Sequence, residues 1–103
     1  PDPDLAMVAT DPRIMALADG LRERDGEDCF TDTALRLVES SGESVKNLRR
    51  AMSQGLGYGA PDDVGEQLAN VVIAAAILAR QLGIDLDKQV EARLGSPSWH
   101  AQL

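Results

Sequence analysis

With 103 residues the chain has room for one domain, and a core that small leaves much apolar surface uncovered unless another chain covers it. A formal charge of −7 excludes the broad basic patches on which general nucleic-acid and membrane-surface binders depend, although a local phosphate site stays open. The single cysteine, Cys29, excludes an intrachain disulfide framework and a cysteine-based zinc site, and fits a reducing cytoplasm.

In chain order, Pro1 to Thr10 carries two prolines with acidic and small residues and reads as a flexible lead-in (residues 1–10). Asp11-Pro12 predicts an N-cap followed by proline at the first helical position. Ile14, Leu17, Ala18 and Leu21 continue at helical spacing, and Gly26 ends the helix. A second start is expected at Thr31 to Thr33. Ala34, Leu35, Leu37, Val38, Val45, Leu48 and Met52 then mark a long amphipathic helix that stops before Gly55. Gly55, Gly57 and Gly59 make a loop. A third helix is expected from Pro61-Asp62-Asp63 to Leu82, its acids at the positive end of the helix dipole and Gly83 as its stop. Asp85 caps a short fourth helix to Leu94, and residues 95–103 form a tail. No strand is expected, so the fold class is all-α, with a helical domain over 11–94. No charged n-region followed by an apolar core opens the sequence, and Val71 to Ala79 is too short to span a bilayer, so a soluble cytoplasmic protein is expected.

The third helix carries apolar residues on two sides. At about 100° per residue, Val64, Leu68, Val71, Val72, Ala75, Leu78, Ala79 and Leu82 form one broad face, and Ile73 and Ile77 project from the opposite one. A helix apolar all round needs cover on both sides. A second copy of the chain supplies it in a dimer or tetramer; alternatively the first helix or the tail covers Ile73 and Ile77. Glu66 and Asn70 continue the line of those isoleucines and are expected at the polar end of a buried face.

On the second helix, Glu39, Glu43, Lys46 and Arg50 recur at i, i+4, i+7 and i+11. Acids on such a stripe suit a hard divalent cation and bases suit nucleotide phosphates; the same pattern also makes an ordinary salt-bridged, solvated face. Near the end of the chain, His100 is expected to be solvated and Trp99 to anchor the tail on a neighbouring subunit.

Leu35-Arg36-Leu37-Val38-Glu39-Ser40-Ser41-Gly42-Glu43-Ser44-Val45, followed by Gly65-Glu66-Gln67-Leu68-Ala69-Asn70-Val71-Val72, resembles the two metal-binding helices of MazG-like nucleoside triphosphate pyrophosphohydrolases. Gln81-Leu82-Gly83-Ile84-Asp85-Leu86-Asp87, continued by Val90, Glu91 and Leu94, is similar to the terminal segment of that superfamily. The resemblance implies a four-helix subunit that packs with a partner into an oligomeric bundle, where magnesium and a nucleotide meet between helices. It also implies hydrolysis of a nucleoside triphosphate to the monophosphate and pyrophosphate. In the family the first helix carries two adjacent acids and a third three residues on, here Glu39, Ser40 and Glu43. The second carries an acid and an aspartate three residues apart, here Gln67 and Asn70. Ser40 and Gln67 are thus degenerate family positions and Asn70 is neutral. Glu39, Glu43, Glu66 and Asn70 are the candidate magnesium ligands, and Lys46, Arg49 and Arg50 the candidate phosphate contacts. Because neutral groups replace carboxylates that a hard cation needs, the alternative is a catalytically degenerate homologue that serves as an oligomeric ligand- or protein-binding scaffold.

Overall fold

The computed structural model describes residues 8–54 and 60–97. Four helices follow in order: α1 (Pro12–Asp25), α2 (Asp28–Gln54), α3 (Ala60–Leu82) and α4 (Leu86–Leu94), with no strand among the described residues. The all-α class is therefore observed. Residues 1–7 of the lead-in, residues 55–59 of the glycine loop and residues 98–103 of the tail, with Trp99 and His100, lie outside the described residues.

Local chemistry sets most of the boundaries. The Asp11 carboxylate accepts from the Arg13 backbone N–H at 2.8 Å, satisfying one of the unpaired donors of the first turn, and Pro12 follows where no N–H is needed. At Gly26 the backbone takes φ +61° and its N–H bonds back to the Arg22 carbonyl. α3 ends in a Schellman motif: Gly83 at φ +72° donates to Arg80 O, and Ile84 donates to Ala79 O. Asp85 then accepts from the Lys88 backbone N–H and opens α4. The second helix begins at Asp28, several residues before the expected Thr31 to Thr33. After Gly26 the N–H groups of Cys29 and Phe30 bond at once to Gly26 O and Glu27 O, so no loop intervenes.

α2 and α3 form an antiparallel hairpin and supply the principal packing, α1 lies against α3 and touches α2, and α4 stands apart from the other three. The buried residues are mostly small: Ala18 of α1, Cys29, Thr33, Ser44 and Ala51 of α2, and Ala74, Ala76 and Ala79 of α3. Small side chains let helix axes approach closely. The Ser44 hydroxyl donates to Ser40 O at 2.8 Å, so its burial leaves no unmet donor. Arg80 grips Asp19 with two hydrogen bonds of 3.1 Å, and Arg22 donates to Gln81 O at 2.6 Å while its guanidinium lies 5.5 Å from the centre of the Phe30 ring. These contacts fasten α1 to α3 and to the first turn of α2.

The apolar pattern has the expected helical period but a different direction. Leu35, Val38, Val45, Leu48 and Met52 of α2 are exposed, whereas Thr33, Ser44 and Ala51 are buried and Ala34 and Leu37 half-buried. On α3, of the broad apolar face, Ala79 is buried, Val64, Val71, Ala75 and Leu78 are half-buried, and Leu68, Val72 and Leu82 are exposed. No single helix among the described residues is long and apolar enough to cross a membrane.

Candidate functional site

A cleft of about 220 Å³ opens where α1, α2 and α3 meet. Leu21 comes from α1, Thr33, Arg36 and Ser40 from α2, and Asn70, Ile73, Ala74 and Ile77 from α3. The α2 contributors recur at i, i+3 and i+7 and therefore share one helix face; Asn70, Ala74 and Ile77 do the same on α3. Helical periodicity in the antiparallel hairpin thus sets Ser40 opposite Asn70 and Thr33 opposite Ile77. Ile73 and Ile77 are walls of this open cleft together with Leu21 of α1, and Ile73 stays 38% exposed.

Among the described residues Arg36 is the only charged one in the lining. Its side chain is exposed at the mouth, and among the described residues no carboxylate lies within ion-pair distance of it. Asn70 is exposed, not buried as expected from its place in line with the isoleucines, and its amide lies 3.5 Å from Gln67 Oε1. Thr33 and Ser40 add hydroxyls, and Leu21, Ile73 and Ile77 add an apolar wall. Chemically the arrangement offers one fixed positive charge, neutral hydrogen-bonding groups and a flat greasy side. That set suits a small ligand with an anionic group at one end.

The residues expected at the site divide in two. Ser40 and Asn70 are brought together in the cleft. Glu39, Glu43 and Glu66 are exposed and do not line it, nor do Lys46, Arg49 and Arg50. The stripe of Glu39, Glu43, Lys46 and Arg50 is solvated as in its plainer reading, but among the described residues no ion pair joins its members. No three acidic, histidine or cysteine side chains among the described residues converge on a point. The donor set fits magnesium poorly: of the five positions that the resemblance aligns with family acids, Ser40, Gln67 and Asn70 are neutral, and the carboxylates kept at Glu39 and Glu43 do not line the cleft. Leu21, Thr33 and Arg36 were not expected here. The spacing of Thr33, Arg36 and Ser40 carried the signal for α2, but Leu21 depends on where α1 docks.

Comparison with protein-family models, with curated proteins and with solved structures finds no match to this chain.

Proposed function

We propose that the chain is a binding module on a MazG-like helical scaffold, which takes a phosphate-bearing small molecule such as a nucleotide in the cleft and does not hydrolyse it by a magnesium route. One observation carries this reading: the cleft joins Ser40 and Asn70, two positions aligned with family metal ligands, around a single cation, with no carboxylate in its lining. A cleft of that composition attracts a phosphate directly, whereas a magnesium nucleotide needs acids to hold the ion. Arg36 pairs with phosphate oxygens, Thr33, Ser40 and Asn70 orient the polar part, and Leu21, Ile73 and Ile77 cover an apolar ring face. Its volume lies just under the roughly 300–1,000 Å³ of small-molecule pockets, so part of the ligand stands in solvent.

The pyrophosphohydrolase reading keeps one observation in its favour. Glu43 retains its family position one turn beyond Ser40, and Glu39 lies one turn beyond Arg36. The two readings separate in a calorimetric titration with a non-hydrolysable nucleoside triphosphate, in EDTA and in magnesium. Binding is expected in EDTA and is expected to weaken about tenfold or more in Arg36→Ala, the loss of one charge-assisted hydrogen bond. Binding that requires magnesium, with pyrophosphate release from the natural triphosphate abolished by Glu43→Gln, gives the hydrolase reading instead.

A further inference from the structure

The rows of residues that line the cleft continue past its inner end. On α2, Cys29, Thr33, Arg36 and Ser40 recur at i, i+4, i+7 and i+11; on α3, Asn70, Ala74, Ile77 and Gln81 have the same spacing, so each set shares one helix face. In the antiparallel hairpin the rows meet rung by rung: Ser40 with Asn70, Arg36 with Ala74, Thr33 with Ile77, and Cys29 with Gln81. The first three rungs line the cleft. The fourth lies one turn deeper, and both of its members are 1% exposed.

That inner rung carries a polar group where a core calls for an apolar one. The backbone carbonyl of Gln81 accepts from Arg22 at 2.6 Å, but among the described residues neither Nε2 nor Oε1 of its side chain has a hydrogen-bond partner. Thr33, on the rung above, is 3% exposed, and its hydroxyl also makes no hydrogen bond among the described residues. A buried amide that forgoes both its donor and its acceptor is destabilising, since water satisfies both in the unfolded chain. A second space, of about 20 Å³ between α1 and α2, shares Leu21, Thr33 and Arg36 with the cleft and reaches Cys29. The half-buried Leu21 is thus a wall common to the two spaces.

An amide presents N–H and C=O side by side, and its complement is a group that does the same. A charged group at this depth would lose its hydration without gaining a counter-charge, so the complement is neutral. Seven residues separate the Arg36 rung from the Gln81 rung, roughly 10 Å along the helix, which puts an anion at Arg36 and the group at Gln81 on opposite ends of one ligand.

We propose that Gln81 is a specificity-determining residue of the cleft, whose amide takes the cyclic amide edge of a planar heterocycle through two hydrogen bonds. The ring enters between Leu21 and Ile77 as Leu21 changes rotamer, with the Thr33 hydroxyl beside it. This inference rests on the reading of the cleft as a site for a phosphate-bearing small molecule, and adds which end of that molecule goes deepest and what it carries.

The test compares two ligands that differ only at that edge: inosine 5′-monophosphate, with N–H beside C=O, and purine riboside 5′-monophosphate, with the same rings and neither group. Both are titrated calorimetrically in EDTA into the full chain and into Gln81→Met, with ribose 5-phosphate as the probe of the Arg36 end and circular dichroism to follow helicity. The wild type is expected to bind the inosine nucleotide about tenfold or more tighter than the purine riboside nucleotide. Gln81→Met is expected to bind the two equally and ribose 5-phosphate as the wild type does. A wild type without the preference overturns the inference whatever the variant does, as does a preference that survives in a helical Gln81→Met. The phosphate reading then still stands if Arg36→Ala weakens ribose 5-phosphate. A Gln81-dependent preference, with ribose 5-phosphate indifferent to Arg36→Ala, supports the inference and fails the phosphate reading. If neither nucleotide binds, both fall.

Discussion

The two sides of α2 differ more than any other pair of surfaces in the molecule. Toward α3 the helix offers Thr33, Ser44 and Ala51, all small and all buried; away from it stand Leu35, Val38, Val45 and Met52, all large and all exposed. In a self-sufficient monomer the sizes would be reversed, since burying large apolar side chains supplies most of the stabilisation. Here the inner contact is one of close approach, with the Ser44 hydroxyl bonded within its own helix, and the larger apolar area stands exposed. The inner face fixes the hairpin and its cleft, and the outer face presents an uncovered apolar stripe.

Enlarging an inner residue should break this division most severely. Ala51 is 2% exposed, so Ala51→Leu is expected to lower stability by about 1–3 kcal/mol through overpacking. Val38→Leu, which adds one carbon to the outer face, is expected to change the stability of dilute protein by no more than about 0.5 kcal/mol. Urea unfolding of both variants at low protein concentration measures the contrast. Equal losses would show that the outer face is already covered within one chain.

A smaller effect of opposite sign is expected at the far end of the inner contact. Gln81 is buried, and neither its amide nitrogen nor its amide oxygen has a hydrogen-bond partner among the described residues. An unmet buried amide costs free energy that an apolar group of similar volume does not. Gln81→Met is therefore expected to raise stability by about 1 kcal/mol, read as a higher urea midpoint at unchanged slope. A fall would place ordered water on that amide.

What the sequence made legible follows the reach of each signal. Helix ends were read well because caps act within a few residues: Asp11-Pro12, Gly83 and Asp85 fix their own backbones. The period of α2 was legible, its direction was not. Leu35, Val38 and Val45 announce an apolar stripe, and nothing in the chain says whether that stripe meets α3 or another molecule. Cys29, read in the sequence only for the disulfides and zinc site it excludes, is a core residue in the first turn of α2, ahead of the apolar pattern from which the start of that helix was expected. At the cleft, Ser40 and Asn70 could be paired by resemblance, and Arg36 by its spacing from Ser40. Leu21 could not be placed, because the docking of α1 depends on Asp19–Arg80 and Arg22–Gln81, pairs about sixty residues apart.

Those distant pairs give the smallest and most local expectation, a pH dependence confined to α1. The hydrogen bond from Arg80 holds the Asp19 carboxyl below the usual carboxylate range, and the hydrogen bonds from Arg13 bring Asp11 down to about 2. A carboxyl whose folded value lies below its unfolded value, roughly 4, stabilises the fold above that unfolded value. The contribution is then lost as pH falls from about 4 through 2. Asp19 is exposed, and Asp11, though half-buried, pairs with an exposed Arg13, so salt screens both and the effect on the whole protein is slight. The backbone amides of α1 beside Asp11 and Asp19 are expected to shift as pH falls from 4 to 2 in an NMR titration, and Asp19→Asn is expected to remove the part of that response nearest Arg80. A response around Asp19 that Arg80→Gln leaves unchanged would mean that the Asp19–Arg80 pair does not fasten α1, and that the cleft wall at Leu21 is held by other contacts.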